Sequence, residues 1–396
     1  MNPFWQPLAV IGALALAIGL RFIPKLRGYQ FTAWILVAVT AGMIYPAQLL
    51  QVGDFDLRNK WLILFIVQAV MFGMGTQMKL ADFKGVVKMP WAVAIGVIGQ
   101  FTIMPLVGFG LTKVFHFEPE VAAGIILIGS CSAGLASNVM AYIAKANLAL
   151  SITMTSVTTL LAPIMTPLWM KLLAGELVEV EALKMMMEII KMVIVPIGAA
   201  LLHDYLTFAK PRGRRIVYGT AATGVLWLAS IALGGWNWLQ GNVIAEALPW
   251  IGAVGFAFGA VLAGVIYHHA TILLPKLAKL MPVISMFGIV YFTTVTTAAG
   301  RDHLLHIGGL LFLAAMLHNT FGYVFGYGLA RLARLDVASA RTVAFEVGMQ
   351  NGGMASGIAG ALGKLGTMGL AAAIFSPWMN LSGSVLANFW RKRPGK

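Results

Sequence analysis

Cysteine occurs once, at Cys131, so no intramolecular disulfide can form and cysteine usage carries no mark of a redox compartment. Charge is almost as scarce. Only 11% of the 396 residues are Asp, Glu, Lys or Arg, which is too few to clothe a solvated surface, and there is no low-complexity tail, linker or soluble domain. What fills the chain is apolar: 59% of residues are hydrophobic and the mean hydropathy is +0.85, the composition of a polytopic membrane protein. The 44 glycines and 16 prolines lie within apolar segments, where membrane helices tolerate them for packing and kinks. A net charge of +14 would fit a nucleic-acid binder, but the Lys and Arg residues come in short clusters between apolar segments, as positive-inside loops do. Nucleic acid is therefore not an expected partner; the lipid bilayer is.

A hydrocarbon core of about 30 Å takes about 20 helical residues to cross. On that ruler the chain holds thirteen apolar segments, approximately residues 4–22, 31–50, 61–78, 90–115, 121–144, 147–173, 183–206, 216–236, 247–267, 281–299, 304–332, 343–362 and 365–390. The first has no basic residues before it and three after it, Arg21, Lys25 and Arg27, so it is expected to be a retained span and not a cleaved signal. Assigning loops to alternate sides puts 20 Lys and Arg on one side and seven on the other, with Lys191 inside a span. The expected topology has the N-terminus outside and the C-terminus in the cytoplasm.

Polar residues at membrane depth are few and grouped. Residues 345–357, FEVGMQNGGMASG, set Glu346 in an apolar segment with Gln350 and Asn351 about one turn on, among glycines that loosen the backbone. This reads as a broken helix around a cation; a polar patch gluing two helices is the plainer alternative. A second interruption, residues 130–167, begins with small residues, then supplies Ser137 and Asn138 at an expected break, and Ser151 and Thr155 on one face of the next helix. Gln100 adds an amide ahead of Pro105. Apart from Glu346 these are neutral oxygen donors, which suit a hard monovalent cation, sodium first, and suit zinc or copper poorly. The histidines, including the adjacent His268 and His269, form no convincing metal site, and Glu188 and Lys191 are spaced to pair across one turn.

Several of these stretches together resemble the bile acid:sodium symporter family. ASNVMAYIAKANLALSITMTSVTTLLAPIMTP and RTVAFEVGMQNGGMASGIA are similar to its two signature regions, and MFGMGTQMKLADF, IGVIGQFTIMP, LHNTFGY and FSPWMNLSG match in order over most of the chain. The resemblance implies an all-α polytopic membrane protein with two inverted five-helix repeats, two discontinuous crossing helices, and a core rocking against a panel. It implies one sodium site from Ser137, Asn138, Ser151, Thr155 and Glu346, and a second from Gln100, Glu346, Gln350 and the carbonyls of Val347 and Met349. Asn351 and Asn380 correspond to residues facing the family's substrate cavity, where Leu135 and Met379 replace the family's usual threonine and histidine.

Family members have ten spans, so about thirteen here means additions within a single transmembrane transporter domain, 1–396. Residues 1–28 are an extra N-terminal span, 29–210 the first repeat and start of the second, 211–278 an inserted helical hairpin, and 279–396 the remainder of the second repeat. The expected function is sodium-coupled symport of an organic anion that is bile-acid-like, pantothenate-like or a small keto or hydroxy acid, in a bacterial inner membrane and with two Na+ ions. A sodium-independent exporter or channel of the same fold, or a membrane sensor, remains open. No nucleophile with base, paired carboxylates or metal-ligand cluster points to an enzyme.

Overall fold

The computed structural model describes residues 5–23 and 30–393. Lys25 and Arg27 of the first basic cluster, Lys396 of the last, and the start of the first apolar segment lie outside those residues.

The described chain is helical apart from a two-stranded hairpin pairing Gln51–Val52 with Phe55–Asp56. Its principal helices are α1 (Trp5–Gly19), α2 (Gln30–Ile44), α3 (Lys60–Gly75), α4 (Pro90–Phe115), α5 (Pro119–Ser130), α6 (Ala136–Ile143), α7 (Leu148–Ala174) and α8 (Ala182–Ile189). They continue with α9 (Val195–Phe208), α10 (Pro211–Ala232), α11 (Leu248–Leu273), α12 (Lys276–Ala299), α13 (Arg301–Leu332), α14 (Val337–Gly348), α15 (Gly352–Ala361) and α16 (Gly369–Arg391). Local chemistry accounts for many of these limits. Asn59, Asn147 and Asp336 cap α3, α7 and α14 by accepting from Trp61, Leu150 and Ser339 N–H groups at 2.9, 3.1 and 3.0 Å. Proline opens α4, α5 and α10, where its missing N–H goes unneeded. α4 stops at His116, which turns left-handed at φ 50°.

Among the described residues nine helices are long and apolar enough to cross a membrane, or ten if α3 is counted with residues 80–88, which it meets at a 64° bend. The other expected spans depart from continuous helices. Residues 31–50 form α2 and then break at Tyr45 before a short helix, Pro46–Leu50. Residues 121–144 and 343–362 are each split in two, as α5 with α6 and α14 with α15. α8 and α9 are one span joined by a π-helical turn, Ile190–Ile194, and the Glu188–Lys191 pair forms beside it at 3.3 Å. The expected loop between α10 and α11 contains a further helix, Gly235–Asn242.

One large apolar core runs through α3 to α9 and α12 to α16. Within it α13 packs on α4, α14 and α16, and α5 packs on α4, α7 and α16, so that the two split helices are enclosed by unbroken ones. α3 lies against α9, α12 and α15. A small second core, Leu206, Val217, Ala221 and Val265, joins α9 to α10 and α11, while α1 rests on α2.

Candidate functional site at two helix breaks

The two interruptions meet. The chain leaves α5 in extended form at Cys131 and leaves α14 in extended form at Met349, and an antiparallel bridge pairs Ala133 with Gln350. Its hydrogen bonds run from Gly134 N–H to the Met349 carbonyl, 3.0 Å, and from Asn351 N–H to the Ser132 carbonyl, 2.9 Å. The strands are so close that a Cβ on Gly134 would sit 2.7 Å from the Gln350 carbonyl oxygen, which is why glycine stands there. The sequence places the first break at Ser137 and Asn138; it falls at residues 131–135, because the partner strand selects the segment that extends.

Breaking a helix in a water-free interior frees carbonyls that must find other donors. Here side chains supply them. Thr166 Oγ1 donates to the Ser130 carbonyl at 2.7 Å, Gln100 Nε2 to Cys131 at 3.0 Å, Gln350 Nε2 to Val347 at 2.6 Å, and Asn319 Nδ2 to Gly348 at 2.8 Å. Ser382 in turn donates to Asn319 Oδ1 at 2.6 Å and orients the amide. Asn319, Thr166 and Ser382 are residues that sequence reasoning missed. Their signal was present, a polar group inside an apolar span, but Asn319 lies in LHNTFGY and Thr166 close to Pro167, far in sequence from the carbonyls they serve.

The carboxylate of Glu346 is fully buried. Ser137 and Ser151 hydroxyls each contact its Oε1 at 2.5 Å, and the Thr155 hydroxyl contacts Oε2 at 2.8 Å. Each hydroxyl carries one proton and has a second acceptor in reach. For Ser137 it is the Gly134 carbonyl at 2.7 Å; for Ser151 and Thr155 it is Asn138 Oδ1, at 2.8 and 3.3 Å. Three protons therefore face a carboxylate, an amide oxygen and a carbonyl, leaving lone pairs in surplus around a full negative charge. A second surplus lies nearby. Gln100 Nε2 donates to Gln350 Oε1 at 2.8 Å, while Gln100 Oε1 is buried without a partner. Such acceptor-rich, dry clusters fit a hard cation.

The structure thus brings Ser137, Asn138, Ser151, Thr155 and Glu346 into one group, and Gln100, Gln350 and the Val347 carbonyl into another. The Met349 carbonyl is taken up by the bridge. All the hydrogen bonds of Glu346 go to the first group. Asn351 caps α15 through the Met354 N–H at 3.0 Å and points its Nδ2 at the Met74 sulfur. Asn380, half-buried on α16, donates to the Ser376 carbonyl at 2.7 Å. Leu135 is half-buried at the start of α6, and Met379 is 5% exposed in the main core. A cavity of about 200 Å³ lies between α3, α7, α8 and α15, walled by Met170, Met185, Met192 and Met368 under a rim that includes Lys60 and Glu179; Leu135, Asn351, Met379 and Asn380 do not line it.

Known proteins resemble this arrangement in sequence and in fold. The model of the sodium bile acid symporter family matches residues 62–258. The sodium-dependent transporter YocS of Bacillus subtilis is 34% identical over 95% of this chain and 95% of its own. The probable chloroplastic sodium/metabolite cotransporter BASS1 of Arabidopsis thaliana is 29% identical over 95% of this chain and 77% of its own. The human ileal sodium/bile acid cotransporter is 30% identical over 72% of this chain and 65% of its own. In fold, the structure of the sodium proton antiporter MjNhaP1 from Methanocaldococcus jannaschii superposes with a TM-score of 0.53 at 14% identity, covering 99% of both chains.

Proposed function

Because the chain belongs to the sodium bile acid symporter family, whose members are sodium-dependent transporters and not enzymes, we propose that it is a sodium-coupled symporter of an organic anion working by alternating access. The observation that carries this reading is the surplus of buried oxygen acceptors around Glu346, with every donor hydroxyl offered a second acceptor. When sodium arrives, the Ser137 hydroxyl turns its O–H to the Gly134 carbonyl, and the Ser151 and Thr155 hydroxyls turn theirs to Asn138 Oδ1. Their lone pairs then face the ion beside the carboxylate. Oxygens 2.5–2.8 Å apart are in contact, so the cage must widen to admit the ion. That makes the position of α14 relative to α6 and α7 sensitive to sodium.

The second ion belongs with Gln100, Gln350 and the Val347 and Met349 carbonyls, where the unpartnered Gln100 oxygen supports it. Glu346 then serves the second ion through space. Asn351, Asn380, Leu135 and Met379 border the substrate path. Two sodium ions carried with one monoanion move net positive charge inward, and each elementary charge gains about 2.3 kcal/mol per 100 mV of membrane potential. The substrate class spans bile-acid-like, pantothenate-like and small keto or hydroxy acids.

Counting α2 and each split helix as one span apiece, together with the ten longer ones, makes thirteen. The N-terminus is then outside and the C-terminus in the cytoplasm of a bacterial plasma membrane. The two split helices stand in separate halves of the chain, which supports inverted repeats, with residues 1–28 and 211–278 as additions. Uptake of labelled carboxylates into proteoliposomes tests the reading. Accumulation of at least one of them driven by an inward sodium gradient is expected; equal uptake of every one with and without sodium overturns it.

A further inference from the structure

Residues 211–278 fold mainly as α10 and α11, and they join the rest of the chain at a polar corner. His203, near the end of α9, meets His268 of α11 with their Nδ1 atoms 3.2 Å apart. Thr271 Oγ1 lies 3.2 Å from the same His203 nitrogen. His269 is turned about 100° further round the helix and reaches the Tyr218 hydroxyl of α10 at 3.2 Å. The His203 and His268 ring centres are 5.2 Å apart, those of His268 and His269 5.4 Å, and Tyr267 sets its ring edge-on to His203. Arg214, in the first turn of α10, donates to the Leu206 carbonyl at 3.2 Å and adds a fixed positive charge. Asp204 adjoins His203, but its Oδ2 accepts from the Leu80 N–H at 3.0 Å, on the stretch after α3. α3 itself brings Phe72 against Tyr267.

Two imidazoles joined through Nδ1 need one ring to donate and the other to accept. A first proton can settle on the free Nε2 of the donating ring; the bond survives and becomes charge-assisted. A second proton has only the accepting nitrogen to take. It converts that lone pair into an N–H facing another N–H, on two cations beside Arg214 and with His269 as a third titratable ring. The corner can therefore hold one extra proton on the pair and not two.

We propose that His203, His268 and His269 form a proton-binding latch that fastens the α10–α11 hairpin to α9 and releases it when a second proton is bound. The contact is kept at neutral and alkaline pH and is lost in acid, once the second proton is bound. Arg214 stands at the corner with Arg212 and Arg215 adjacent in sequence, and on the proposed topology this is the cytoplasmic side, so the latch answers to acidity there.

Hydrogen–deuterium exchange on the full-length protein in nanodiscs tests this without reference to transport. After correction for the intrinsic rate, exchange across α10 and α11 should rise severalfold between about pH 8 and about pH 5.5, while α14 and α15 hold theirs. His268→Gln keeps a side chain able to donate or accept toward His203 yet takes up no proton, so it should retain protection at alkaline pH and lose the acid response. His203→Gln is the second variant and should behave alike; His306→Gln, remote from the corner, should respond as the wild type does. An acid response that persists in both His268→Gln and His203→Gln, or a wild type whose hairpin protection does not change with pH, overturns the proposal.

Discussion

Glu346 costs more to bury than any other side chain at the crossing, several kcal/mol at membrane depth, and three hydroxyls offset only part of that. In the proposed function a bound cation supplies the rest, so the carboxylate should link stability to sodium. A ligand present at about a hundred times its dissociation constant adds about 2.7 kcal/mol. Glu346→Gln should fold and should lose most of the sodium-dependent rise in Tm; an undiminished rise in a thermal-shift assay would refute the role given to the carboxylate. At the opposite end of polarity, the proposed placing of Leu135 and Met379 along the substrate path gives it an apolar wall, which discriminates weakly against hydroxylated molecules. Leu135→Thr is expected to shift the affinity ratio of a hydroxy acid to its deoxy analogue toward the hydroxy acid. Competition uptake measures that ratio, and no change would place Leu135 in packing alone. Glu346 in one stretch and Ser137, Ser151 and Thr155 in another were legible as polar groups within apolar segments, but that they form one cluster was implied only by the family resemblance. The contacts of Thr166 and Asn319 were not, since they serve carbonyls freed by backbone geometry that only the fold defines.

At the scale of elements, the split helices hold their shape by having each loose carbonyl answered. Thr166→Val keeps the shape of the side chain and removes the donor to Ser130, leaving a buried carbonyl unpaired at about 1–3 kcal/mol. A lower Tm with the sodium-dependent rise intact is expected, and loss of that rise would mean that Thr166 takes part in ion binding. Glycine content announced that the helices break, but the placement of the first break shifted by a few residues. The open backbone from Cys131 to Gly134 is stabilised by residues 349–351, a pairing over more than two hundred positions that local patterning does not encode. The π-turn at Ile190–Ile194 was hidden for a related reason: its residues read as ordinary helix formers.

For the whole molecule, hydropathy located the apolar segments well because the bilayer leaves a chain few options, whereas the order of packing rests on shape. The proposed odd number of spans is open to a direct check. Cysteines placed singly at Gln6 and Lys392 should be labelled from opposite faces of the membrane by an impermeant reagent, and labelling from one face would mean that one segment does not cross. The background for that measurement is already quiet, because the native thiol is completely buried. Cys131 sits in the extended strand where the two broken helices cross, and its carbonyl is held by Gln100. An alkylating reagent can reach its sulfur only while that strand is parted from its surroundings. The chain thus carries a built-in stopwatch for the opening of its own centre: the rate at which Cys131 is modified counts those openings, and anything that braces the crossing slows the count.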